Sequence, residues 1–141
     1  MNTDIVAETV VRAPTERVFE AIASEAGWDG WFTDGTLIEP NVGGRVHLVW
    51  TAVGPDRSYA EDEGHVVKYE PPSVFAFTWG KPESVVTIEL SPHQEGTLVS
   101  LIERGIPDDH DGHARFASCS VGWGEALTLM KFWVEHRVTY R

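Results

Sequence analysis

Residues 113–136 read HARFASCSVGWGEALTLMKFWVEH. Within them Phe116, Ser120, Trp123, Leu127, Met130 and Val134 recur in alternating steps of four and three, which places them on one side of a helix. Cys119, Ala126 and Trp133 widen that side. The spacing predicts a helix from about His113 to His136, entered through a polar loop, DDHDG, at 108–112. Such a helix runs roughly 35 Å, and its apolar stripe needs an equally long surface to lie on.

Upstream the period drops from about four to two, the mark of strands. Thr97–Glu103 alternates Val99 and Leu101 against Leu98, Ser100 and Ile102. Ser84–Leu90 alternates Val86, Ile88 and Leu90 against Val85, Thr87 and Glu89. Val74–Trp79 sets Phe75, Phe77 and Trp79 against Ala76 and Thr78, behind a hard break at Pro71–Pro72. Tyr59–Tyr69 is expected to be a strand with an irregularity at Gly64, and Arg45–Val53 a strand with Val46, Leu48 and Trp50 on one face. GPDRS is the loop between them, Gly43–Gly44 a turn, and Leu37–Ile38 a short strand. Strands joined by short loops in this way form an antiparallel meander.

The beginning of the chain adds Thr3–Ala13 as a strand, with Ile5, Ala7, Thr9 and Val11 on one parity. Pro14 suits the start of a helix from Thr15 to Ser24, whose stripe is Val18, Phe19 and Ile22. Ala26–Phe32 reads as a short second helix or a turn that brings Trp28, Trp31 and Phe32 inward. One strand, two helices, six strands and a long helix give an α+β fold, with helices layered on an antiparallel sheet. A chain of 141 residues without internal repeat or linker is one domain, 1–141, able to bury a single core.

Composition narrows the function. Eleven basic against 22 acidic residues leave a net charge of -11, which opposes nucleic acid and anionic lipid surfaces. No apolar run is long enough to span a bilayer, so no membrane insertion is expected. Cys119 is the only cysteine, a pattern that suits a reducing, cytoplasmic setting. The opening MNTDIVAETVV lacks the basic and apolar regions of a secretory signal. Phosphate-loop, nucleophile-elbow, zinc-protease and CxxC patterns are missing, and no cofactor is expected.

A resemblance now becomes visible. APTERVFEAI at 13–22, Trp31–Phe32, VGG at 42–44 and GHVVKYEPPSVFAFTW at 64–79 are its first pieces. VVTIEL at 85–90, Gly96–Thr97 and Gly122–Trp123 with Leu127 complete it. In order and over nearly the whole chain, these resemble the START-like (SRPBCC) superfamily, in the branch named after the activator of the heat-shock-protein-90 ATPase. The resemblance implies the helix-grip fold: a curved antiparallel sheet wrapped around a long C-terminal helix, with a pocket between them. Within that superfamily some members are polyketide cyclases, aromatases or hydrolases.

The rings Trp31, Phe32, Trp50, Phe77, Trp79, Phe116 and Trp123 are expected to border that pocket rather than fill it, although aromatics are more often packed into a core. Glu103 shares parity with Val99 and Leu101, and Ser120 and Leu127 lie on the helix stripe. Tyr59, His65 and Thr9 are placed near the same faces. Such polar groups would orient a ligand. Buried, Glu103 would also be a candidate acid or base; otherwise it is a strand end in solvent. DDHDGH at 108–113 has the residue types of a metal site, yet Asp before a helix is a cap, and no metal is expected. Cys119 reads as packing, His47, His93 and His136 as surface, and Gly122 and Gly124 as points of close backbone approach.

The first functional reading is a module that binds a small apolar or aromatic molecule. An enzyme of the cyclase, aromatase or hydrolase kind, with Glu103, His65 and Tyr59 as its groups, is the second. A co-chaperone-like interaction module is the third. Outer-face residues such as Val6, Val10, Leu98 and Ile102 would serve a homodimer.

Overall fold

The computed structural model describes residues 2–139. It begins with β1 (Ile5–Val11), α1 (Thr15–Ala23) and α2 (Glu25–Trp31). The meander follows as β2 (Leu37–Ile38), β3 (Arg45–Val53), β4 (Ser58–Glu70), β5 (Val74–Trp79), β6 (Ser84–His93) and β7 (Gly96–Arg104), and α3 (His110–His136) closes the chain. The strands form one antiparallel sheet in the order β1-β7-β6-β5-β4-β3-β2. β1 and β2 are its two edges, so α1 and α2 carry the chain across its whole width. The α+β helix-grip architecture is therefore present.

Register explains the core. Ile5 pairs with Glu103, Glu103 with Val86, Val86 with Phe77 and Phe77 with Val66. That row crosses five strands and is buried throughout. The next row, Ala7, Leu101, Ile88 and Phe75, runs parallel to it. α3 lays Trp123, Ala126, Leu127, Met130 and Val134 on the sheet, and α1 adds Val18, Phe19, Ala21 and Ile22. Burying a side chain of this size stabilises the fold by roughly 1.5–3 kcal/mol.

Two features depart from the expectation. α3 begins at His110 rather than His113, because the Asp109 carboxylate accepts from the Gly112 backbone N–H at 2.8 Å and caps it there. The predicted loop is thus a cap and a first turn. Near the expected irregularity, the β4–β5 ladder shifts between Val66 and Lys68. At Gly64 a Cβ would overlap the Thr78 carbonyl, so the chain needs glycine at that point.

Candidate functional site

The aromatic wall is a stack. α2 lowers Trp28 and Trp31 into the space that sheet curvature opens, and both indoles are tied to α1 carbonyls. Trp28 Nε1 donates to Ile22 O at 2.8 Å and Trp31 Nε1 to Ala21 O at 2.9 Å. Trp31 lies parallel to Phe32 at 5.2 Å, and Phe32 meets Trp50 edge-on at 5.3 Å. Trp50 continues to Trp79 at 6.3 Å, and Trp79 to Trp123 at 5.2 Å. Phe77 joins through Trp28 and Trp79. The expectation that the rings border a pocket rather than fill it is corrected for Trp31, Trp50 and Phe77, since edge-to-face and tilted contacts pack these three into the interior. Trp31, Trp50 and Phe77 are core.

The stack is anchored on a buried carboxylate. Glu103 is fully buried, which removes the solvated strand end as its reading. Trp123 Nε1 donates to its Oε1 at 2.8 Å. Trp79 Nε1 and Ser84 Oγ donate to Oε2 at 2.9 and 2.6 Å, and the Arg115 guanidinium stands 3.5 Å from the same oxygen. Arg115 is itself fixed by the Ser84 hydroxyl and the Pro82 carbonyl. Four donors around one carboxylate suit its ionised, acceptor-only form. Trp50 is the contrast: its buried N–H has no acceptor among the described residues.

Open space begins where the stack ends. An inner lobe of about 190 Å³ is bordered by Phe32, Trp79 and Trp123 on one side and Ser118, Cys119 and Gly122 of α3 on the other. An outer lobe of about 530 Å³ shares Phe32 and Gly122 with it and runs between α3 and the β3–β4 hairpin. Val53, Pro55 and Leu129 give that lobe apolar walls, and Arg57 and Glu125 add one charge of each sign. Arg57 holds a left-handed backbone, φ 53°, so the hairpin tip has a defined turn. At Cys119, burial, followed by the negative charge of Glu103, pushes the thiol above its ordinary value, so the thiolate is disfavoured.

Of the residues predicted for the site, the structure brings Phe32, Trp79 and Trp123 to this cleft. Glu103 lies behind two of them. Leu127 is core, Phe116 is half-buried against the core, and Ser120 turns its hydroxyl back onto the Phe116 carbonyl at 2.6 Å. Tyr59 and His65 share the outward parity of β4. Tyr59 donates to Glu61 at 2.9 Å, a bond that raises its phenol's pKa, and His65 pairs with Thr78. A shared parity with outward Glu61 and Glu63 was the available sign. Thr9 is half-buried on β1. Asp108 pairs with His113, whose hydrogen bond lowers its carboxyl pKa. Among the described residues no group of three metal-ligating side chains converges.

Sequence reasoning missed the α3 side that faces the hairpin. Ser118, Gly122, Glu125 and Leu129 recur in steps of four, three and four, a second stripe beside the core stripe and too polar to register as apolar. The glycine expectation is corrected as well. A Cβ at Gly122 or Gly124 would meet nothing within 4 Å; Gly122 faces the cleft and Gly124 faces solvent.

A curved antiparallel sheet gripping a long C-terminal helix, with an apolar cleft beside that helix, defines a START-like, helix-grip protein. The chain belongs to the Activator of Hsp90 ATPase homolog 1-like protein family, whose model matches residues 12–135. It is similar to the crystal structure of SSP2350 from Staphylococcus saprophyticus, with 27% identity and a TM-score of 0.80 over 98% of this chain and 96% of that one. The Aha1 dimer from Colwellia psychrerythraea, solved in solution, shares 16% identity and a TM-score of 0.78 over 95% and 97%. DynU16, from the dynemicin biosynthetic locus, shares 17% identity and a TM-score of 0.82 over 96% of this chain and 48% of that one. The last two likenesses establish the fold alone. Comparison with curated proteins gives no match.

Proposed function

We propose that this protein binds a small apolar or aromatic molecule in the cleft between α3 and the β3–β4 hairpin. The observation that carries the reading is the two-lobed space itself, walled by the rings of Phe32, Trp79 and Trp123 in its smaller lobe and bordered by Arg57 and Glu125 in its larger one. Burial there would contribute roughly 0.8 kcal/mol per methylene, and Arg57 or Glu125 would meet a polar group of the ligand at the outer end. The binding reading is preferred to an enzyme because Glu103 has both oxygens engaged by protein donors, and Tyr59 and His65 face outward. The interaction-module reading draws less support, since exposed Val121 and Phe132 stand about 16 Å apart along α3. Val6, 67% exposed on edge strand β1, together with the likeness to the Aha1 dimer, supports a homodimer that leaves the cleft free.

Native mass spectrometry of the purified protein tests the ligand, with Cys119 alkylation as reporter. The expected result is a retained small molecule, or an aromatic compound that protects the thiol and raises the melting temperature. A bare protein with no shift and no protection across an aromatic and lipid library would remove the proposal.

A further inference from the structure

The two indoles that border the inner lobe, Trp79 and Trp123, donate to opposite oxygens of one carboxylate, Glu103, at 2.9 and 2.8 Å. Their rings stand 5.2 Å apart at 36°. An indole carries a single polar atom, its N–H. With that atom spent on Glu103, each ring offers the lobe only π surface and carbon edges. The carboxylate is held in place, because β7 pairing sets Glu103 between Ile5 and Val86, and Ser84 and Arg115 engage its Oε2. The nearby Trp50 borders neither lobe, and its N–H is buried without an acceptor among the described residues, so it adds no donor there. Ser118, exposed, and Cys119, half-buried, border the inner lobe from the α3 side.

We infer that Glu103 is a positioning residue for specificity: by consuming both indole N–H groups it makes the inner lobe select a planar ring without hydrogen-bonding atoms at that end. The inference rests on the ligand-binding reading above and deepens it. A ring bearing an acceptor atom at its inner end would lose its bond to water and find no indole donor in return.

The test compares naphthalene with quinoline, which has the same shape and one acceptor nitrogen. Affinities are measured by tryptophan quenching in a Ser118→Ala background, so that the α3 hydroxyl does not contribute. Naphthalene is expected to bind at least about tenfold tighter. Glu103→Gln can accept from one indole only, whichever way its amide sits, and frees the other. In that variant the preference is expected to shrink to about threefold or less. A merely loosened cleft would weaken both probes alike and leave the ratio unmoved, so an unchanged ratio in a folded Glu103→Gln protein overturns the inference.

Wild-type nitrogen-15 spectra provide a readout that does not depend on the variant folding. The Trp79 and Trp123 indole resonances should keep their position and slow solvent exchange with either probe bound. A downfield jump of one of them on adding quinoline would mean that its N–H turns to the ligand, which sinks the inference while leaving the binding reading intact. Failure of both probes to bind the wild type would sink the two together.

Discussion

Glu103 sits in a sheet row whose other members are Ile5, Val86, Phe77 and Val66. A bare carboxylate there would cost several kcal/mol; four donors offset that cost, and removing one of them should be expensive. Trp123→Phe keeps most of the ring but leaves Oε1 without its donor, so about 3 kcal/mol of stability should be lost. Trp50→Phe removes a buried donor that has no acceptor among the described residues, and that relief offsets the lost ring volume, leaving a cost of about 1 kcal/mol or less. Urea unfolding of the two variants checks the order, and equal losses would contradict the anchoring role of Glu103. Cys119 reports on the same charge. Its raised thiol pKa, caused by burial and then by Glu103, means that alkylation of the folded protein should need a higher pH than alkylation of the unfolded chain. Glu103→Gln should move that profile down. A folded-state profile that coincides with the unfolded one would show the thiol to be unburied.

At the level of elements, periodicity was a good guide to β3, predicted as Arg45–Val53 and found with those bounds, where Val46, Leu48 and Trp50 are buried and the residues between them are not. The two-residue β2 and β5 also match their predicted bounds, β5 although Phe75–Thr78 are buried on both faces. Boundaries slipped where a single side chain sets them, as when the Asp109 cap starts α3 before the apolar stripe does. Glycines were harder to read, because the same residue serves opposite needs. Gly64 is hemmed in by the Thr78 carbonyl, so Gly64→Ala should push β4 away from β5 and destabilise by about 2 kcal/mol or more. Gly124 lies mid-helix with nothing within 4 Å of an added Cβ, so Gly124→Ala should stabilise by about 1 kcal/mol. Thermal unfolding measures both, and the two changes must have opposite signs for the local geometry described here to hold.

For the molecule as a whole, fold and cleft were unequally legible, and for a physical reason. Architecture follows from which positions are apolar, which the chain displays residue by residue. A cleft follows from what packing leaves unfilled, and that depends on how Trp28, Trp31, Trp50 and Phe77 nest together, which no spacing reveals. Gly122 brings the two levels into opposition. A glycine inside α3 costs the helix about 1 kcal/mol relative to alanine, and no close backbone approach requires it. It borders both lobes. Gly122→Leu would place a branched side chain where the lobes join, improving helix propensity while obstructing the space. The expected outcome is a melting temperature at or above that of the wild type together with loss of naphthalene binding. Gly124→Ala, about 3 Å of helix rise away and facing solvent, should gain stability and bind naphthalene as the wild type does. If Gly122→Leu binds as tightly as Gly124→Ala, the ligand sits elsewhere, and the space beside α3 is a by-product of packing.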